Sequence, residues 1–160
     1  MIGDKFKELG CDYWREQYLA YGGIDFRDKT VIMVGADCGT TIVYALLRGA
    51  RYVIGYEKNE ELRKKWETVV CKELYICDRA EMKGEWRGDE YLDGDVFLMD
   101  CEGCEQLLDF TRLSKYKDVC IALHSWTERR DEILAQLVGY IITYVTPDKK
   151  EVVFCHYGHK

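Results

Sequence analysis

The sequence predicts an α/β domain built on an open, largely parallel sheet, and three observations carry that reading. Residues 31–34 are four apolar residues in a row, three of them β-branched, as a strand buried on both faces requires. Gly35 and Gly39 follow at once, and Ile42, Val43, Leu46 and Leu47 then recur at helical spacing behind Thr40, a residue suited to capping. Strand and helix patterns keep alternating until residues 140–146 and 151–155, joined at Pro147-Asp148, read as an antiparallel hairpin that makes the sheet mixed.

Taken in order, Phe6, Leu9, Tyr13, Trp14, Tyr18 and Leu19 are spaced by three and four, which predicts an amphipathic helix over residues 4–20. With Gly22-Gly23 as its stop, the segment 1–23 packs on the sheet edge or lids a crevice. After the glycine turn and its helix, residues 52–56 form the second strand and deliver Glu57 to its carboxyl end. Asn59 caps a helix over residues 59–70. Residues 73–77 read as a short third strand ending at Asp78, whose carboxylate suits either an adenine amino group or a turn. Residues 81–91 are too short and polar for a full crossover helix. A buried strand over 96–100 runs into a turn and a helix through Leu107, Leu108 and Phe110. A further strand over 118–124 ends on His124, and a helix covers 128–139.

The 160 residues suit one domain, residues 1–160, and the net charge of −6 without a Lys/Arg stripe argues against non-specific nucleic-acid binding. Lys64, Lys65 and Lys72 are interleaved with Glu60, Glu61 and Glu67, as on a solvated helix face. No apolar run reaches membrane-span length, so no membrane partner is expected, and the first residues lack a secretory signal, so a cytoplasmic address is expected. The sequence leaves oligomerisation open. Eight cysteines are many for that compartment. Several fall in predicted buried strands, where a thiol acts as a small hydrophobe. Disulfides inside cells occur in hyperthermophiles, and the scarcity of Asn and Gln points the same way, to a hot source.

The turn narrows the ligand. A dinucleotide fingerprint starting at Gly35 needs glycine where this chain has Asp37 and Thr40, and no P-loop is present. A carboxylate about 4 Å from a pyrophosphate costs roughly 4 kcal/mol at an effective dielectric near 20. A sulfonium or ammonium is welcome there, and S-adenosylmethionine carries both and no phosphate. Glu57 follows Gly35 by 57 − 35 = 22 residues, near the roughly 20 at which an acid chelates ribose hydroxyls in nucleoside-binding α/β units.

Residues 29–41, 49–59 and 99–105 together resemble class I S-adenosylmethionine-dependent methyltransferases of the FkbM type, a likeness that covers roughly residues 24–125. The resemblance implies a Rossmann-like seven-stranded mixed sheet of order 3-2-1-4-5-7-6 with helices on both faces. It implies that Gly35, Ala36, Asp37, Cys38, Gly39 and Thr41 cradle the methionine part, that Glu57 with Lys58 holds the ribose, and that Asp78 and Asp100 complete the cofactor site. The acceptor it implies is a small hydroxyl compound such as a sugar. Two departures stand out: Met33 occupies a position that is usually acidic, leaving Asp37 or Asp100 to substitute, and the chain lacks the insertions that commonly build an acceptor pocket.

For a hydroxyl acceptor a general base belongs at the crevice mouth, where Asp100, Glu102 and His124 end neighbouring strands. His124 titrates nearest neutrality and is the first candidate. Cys101 and Cys104 with His156 and His159 have zinc spacing, but the two pairs fall at opposite ends of the sheet, so no metal is expected. Acids around the cysteine pair disfavour a thioredoxin-like role and leave a local disulfide open. The competing readings are a catalytically silent module that binds the cofactor or a partner, and an NAD-dependent oxidoreductase.

Overall fold

The computed structural model describes residues 1–158 and contains one seven-stranded sheet. Its elements in chain order are α1 (Ile2–Glu8), α2 (Trp14–Tyr21), β1 (Thr30–Val34), α3 (Thr40–Leu47), β2 (Tyr52–Tyr56), α4 (Glu60–Lys65), α5 (Cys71–Glu73), β3 (Ala80–Lys83), β4 (Val96–Met99), α6 (Phe110–Leu113), β5 (Asp118–His124), α7 (Arg130–Gln136), β6 (Ile141–Val145) and β7 (Glu151–Tyr157). The strand order is β3-β2-β1-β4-β5-β7-β6, with β7 antiparallel to both neighbours and the other pairings parallel. This is the Rossmann-like mixed sheet that the sequence leads one to expect.

Alternation along β1 explains why the sheet is covered twice. Val31 and Met33 face a core formed with α1 to α4, while Ile32 and Val34 face a second core that includes Leu113 of α6, Ile133 of α7 and Leu137 just past its end. All four are essentially inaccessible, so each face of the central strand buries apolar surface worth roughly 25 cal/mol per Å². Among the described residues, no helix is long and apolar enough to cross a membrane.

Three expectations need correction. The single helix over 4–20 is instead the pair α1 and α2, because Gly10 turns into the left-handed region (φ 81°) and the Cys11 N–H closes back on the Phe6 carbonyl. The pair folds on itself through stacked Phe6 and Trp14, and α2 rests against α3 and β6. Residues 73–77 are no strand: helix α4 continues through a π turn (Trp66–Val70) into α5, and the chain reverses at Tyr75 before β3 begins at Ala80. The apolar run Leu74 to Ile76 had β-like composition, but Leu74 and Ile76 pack on the core from the end of a helix. The expected helix after residue 100 is only a 3₁₀ turn (Cys104–Leu107) followed by α6, which Asp109 caps at Thr111.

The cysteines are not buried thiols. All eight pair, as Cys11–Cys38, Cys71–Cys77, Cys101–Cys104 and Cys120–Cys155. Two of these close long loops, with sequence separations of 27 and 35 residues. Each such closure removes about 3–4 kcal/mol of chain entropy from the unfolded state. Reduction under denaturing conditions is expected to add about 8 Da to the intact mass, two hydrogens per bond, and reduction in the native state to lower the melting temperature by at least about 10 °C. Mass spectrometry and calorimetry read both.

Candidate functional site

A cleft of about 820 Å³ opens over the carboxyl ends of β1, β2, β4 and β5. It lies where strand order reverses, between β1 and β4, as ligand sites in open α/β sheets do. Its geometry starts at Gly35. A Cβ there would lie 2.0 Å from the Asp100 carbonyl oxygen, so only glycine lets the loops leaving β1 and β4 touch. Gly39 has the same necessity against the Trp66 ring, 2.3 Å from where its Cβ would be. Gly39, at φ 100°, is the N-cap of α3, and Thr40 is its first residue.

Of the residues expected at the cofactor, Gly35, Asp37, Thr41, Glu57, Lys58 and Asp100 line the cleft. Ala36 and Cys38 are fully buried behind the loop; the Ala36 N–H donates to the Tyr56 carbonyl, and Cys38 ties the loop to Cys11. They and Gly39 shape the turn. Asp78 is a correction. Because β3 starts at Ala80, parallel to β2, Asp78 lies at the amino end of the sheet, and the cleft is lined instead by Glu85 and Trp86 beyond the carboxyl end of β3.

The Glu57 carboxylate accepts the Asp37 N–H through one oxygen at 2.8 Å and the Asn59 N–H through the other at 3.0 Å. A carboxylate has about four lone-pair sites, so two stay open to hydroxyl donors. Thr40 is 1% exposed and borders the cleft, yet its hydroxyl has no partner among the described residues. The lining carries eight carboxylates (Glu16, Asp37, Glu57, Glu85, Asp100, Glu102, Asp148 and Glu151) against Lys58, Arg87, Lys150 and His124. That balance repels phosphates and favours cations. Burial, and next the Glu57 charge, push the Asp37 carboxyl up to about 6 against the pull of the Cys38 N–H.

His124 is placed by the end of β5 and is 2% exposed. Its Nδ1 lies 2.8 Å from Glu105 Oε2, and its Nε2 lies 2.8 Å from Glu151 Oε1 and 3.6 Å from Asp100 Oδ1. Burial works against the imidazolium, but the hydrogen bonds to Glu105 and Glu151 outweigh it and raise the ring to about 10. With Nδ1 engaged by Glu105 and Nε2 by Glu151, the ring offers no free nitrogen to accept a proton, which counts against the reading of His124 as a general base. Glu105, fully buried, accepts the backbone N–H groups of Gly103 and His124 and the Thr127 hydroxyl, and is lowered despite its burial. Asp100 is pushed well up by burial and next by the Glu151 charge, whereas Glu151 is lowered despite its burial by its hydrogen bond to His124.

Glu105 and Glu151 were not anticipated. A signal existed for Glu151: a strand that runs antiparallel beside β5 must begin next to the end of β5, and the register pairs His124 with Glu151. Tyr13, Glu16 and Gln17 of the amino-terminal pair also line the cleft, and Gln17 accepts the Thr41 hydroxyl at 2.8 Å. Of the residues with zinc-like spacing, Cys101 and Cys104 bond each other, His156 pairs with Val119 near the other end of β5, and His159 lies outside the described residues.

No protein-family model matches the chain. It is 52% identical over 152 residues to uncharacterized protein 158B of Sulfolobus islandicus rod-shaped virus 1, covering 95% of this chain and 96% of that one. The chain belongs to this viral family. Another relative, uncharacterized protein 65 of a Sulfolobus islandicus filamentous virus (isolate Iceland/Hveragerdi), is 49% identical over 154 residues, 96% of each chain. Among solved structures, the chain is similar to magnesium protoporphyrin IX methyltransferase of Synechocystis PCC 6803 with bound SAM (TM-score 0.61, 14% identity, 96% of this chain and 93% of that one). It is similar also to TrmK of M. capricolum in complex with S-adenosyl-homocysteine (TM-score 0.65, 12% identity, 92% and 69%). The family thus has the fold of class I S-adenosylmethionine-dependent methyltransferases.

The Asp37 environment gives a stability test. An unfolded Asp titrates near 3.9, so a folded value of about 6 means that stability falls as pH rises between about 4 and about 6. Asp37→Asn, which also tolerates the positive φ of 58°, is expected to raise the melting temperature of the free protein at pH 8 and to change it little at pH 4.

Proposed function

We propose that this viral protein is a methyltransferase that uses S-adenosylmethionine to methylate a hydroxyl group of a small acceptor, in the manner of the FkbM type. The observation that carries the reading is the acid-rich cleft at the reversal point of a methyltransferase-type sheet, with an unpartnered Thr40 hydroxyl and a Glu57 carboxylate that keeps free lone pairs. These groups fit a cationic nucleoside. Glu57 receives ribose hydroxyls, Lys58 borders them, and Trp86 supplies an apolar wall near the base. Asp37 faces the positive end, and Met33, buried at the floor, contributes no charge.

When bound, S-adenosylmethionine supplies a methyl group on a positively charged sulfur. The chain's main contribution is then alignment, which can be worth about 7–11 kcal/mol. The acceptor end is bordered by Asp100, Glu102, Trp126 and Glu151. With His124 held between carboxylates, its part there is to position Glu151 and Asp100 rather than to take a proton. The four disulfides, rare in intracellular proteins outside hyperthermophiles, support a hot host.

Met33 favours one second reading, a catalytically silent module that binds the cofactor or a partner. Calorimetric titration is expected to give saturable S-adenosylmethionine binding and no heat with NAD. Glu57→Ala is expected to weaken binding at least tenfold, as loss of a charged hydrogen-bond acceptor costs about 1.5–3 kcal/mol. Affinity should rise as pH passes from 5 to 7, because a cation binds ionised Asp37 best, and Asp37→Asn should flatten that dependence. Tight NAD binding without S-adenosylmethionine binding refutes the proposal. Methylated product on a panel of sugars and small alcohols, scored by mass, separates the enzyme from the silent module.

A further inference from the structure

At the acceptor end of the cleft three strand ends converge on one point. β4 hands over to Asp100, β5 ends on His124, and β7 begins with Glu151. One ligand atom from each of Asp100, His124 and Glu151 lies within 4.8 Å of the others, with His124 Nε2 at 2.8 Å from Glu151 Oε1 and 3.6 Å from Asp100 Oδ1. Donor atoms bonded to one ion at about 2.1 Å sit about 3.0 Å apart in an octahedron and about 3.4 Å apart in a tetrahedron. The two distances to Nε2 already bracket those values, and the two carboxylates need only rotate toward each other to share an ion.

The surroundings of the imidazole are those of a metal ligand. Nδ1 is held by Glu105, a buried carboxylate that is itself fixed by the Gly103 and His124 N–H groups and the Thr127 hydroxyl. Such an arrangement commits Nδ1 to donating, so an ion that displaces the Nε2 proton meets an imidazole already aimed at the other two ligands. The side chains of Asp100 and Glu151 are partly exposed, 32% and 14%, on the cleft side, so further coordination positions open onto the cleft.

We propose that Asp100, His124 and Glu151 bind one divalent transition ion, manganese or zinc, at the acceptor end of the cleft. One imidazole with two carboxylates suits these ions better than magnesium, which favours oxygen alone. With three protein ligands the ion keeps positions free for an oxygen of an acceptor. The proposal stands apart from the cofactor reading, because the ligands are not those assigned to the ribose or methionine part, except that Asp100 borders both.

The test is calorimetric titration of the chelator-treated full chain with MnCl2, ZnCl2 and MgCl2 in separate runs, without S-adenosylmethionine. Its failure therefore leaves cofactor binding standing, and the converse holds. One saturating site is expected for manganese or zinc, with magnesium at least tenfold weaker. Glu151→Gln and Asp100→Asn should each weaken it at least tenfold, and Glu105→Gln about 10–100-fold through the orientation of His124. Pulsed electron paramagnetic resonance of the manganese-loaded wild type should show coupling to an imidazole nitrogen, a readout that needs no variant to fold. Absence of saturable manganese and zinc binding, or binding that both ligand variants leave within twofold, or a manganese signal without nitrogen coupling, overturns the proposal.

Discussion

The cleft exists because the backbones leaving β1 and β4 touch and then part. With the missing Gly35 Cβ only 2.0 Å from the Asp100 carbonyl oxygen, the contact tolerates no side chain. Beyond it the chain turns to α3 on one face and to the Cys101–Cys104 loop and α6 on the other. Everything that lines the site hangs on that divergence. Asp37 and Glu57 gather on one side of it, Asp100 and the His124 cluster on the other, and the two groups of carboxylates share one space.

Charge sets the character of that space. Asp37 and Glu57 repel each other across a hydrogen bond that only the backbone mediates, and burial adds to the cost for Asp37. His124 is the local answer at the other end, a buried imidazole clasped by Glu105 and Glu151. Removing one partner of such a cluster strands the others without solvent, which is why buried ion networks are costly to break even when they contribute little net stability. Carboxylates crowded in this way are a common arrangement at functional sites, where binding takes precedence over stability.

Much of the architecture was legible in the chain. The buried run 31–34, the Gly35-to-Gly39 turn, the Asn59 cap and the closing hairpin are each written in local chemistry, and each forms as that chemistry dictates. The misses share a cause. Leu74 to Ile76 resemble a strand by composition, yet tertiary packing holds them at a helix end, and Asp78 went astray with them. The isolated imidazole looked like a base because its partners are distant in sequence: Glu105 precedes it by 19 residues, and Glu151 arrives only through the antiparallel return of β7. Cysteine pairing had no local signature either, except for the short Cys101–Cys104 loop.

The Cys120–Cys155 bond has a further meaning for the cluster around His124. The two cysteines face each other in the β5–β7 ladder, and counting four residues along each strand leads to His124 and Glu151, again opposite each other. A slip of one residue would carry Glu151 to the wrong side of the sheet. The sulfur bridge therefore serves as a molecular ruler: it fixes the alignment of the ribbon covalently, so the meeting of an acid and an imidazole does not depend on hydrogen bonds alone to find its place.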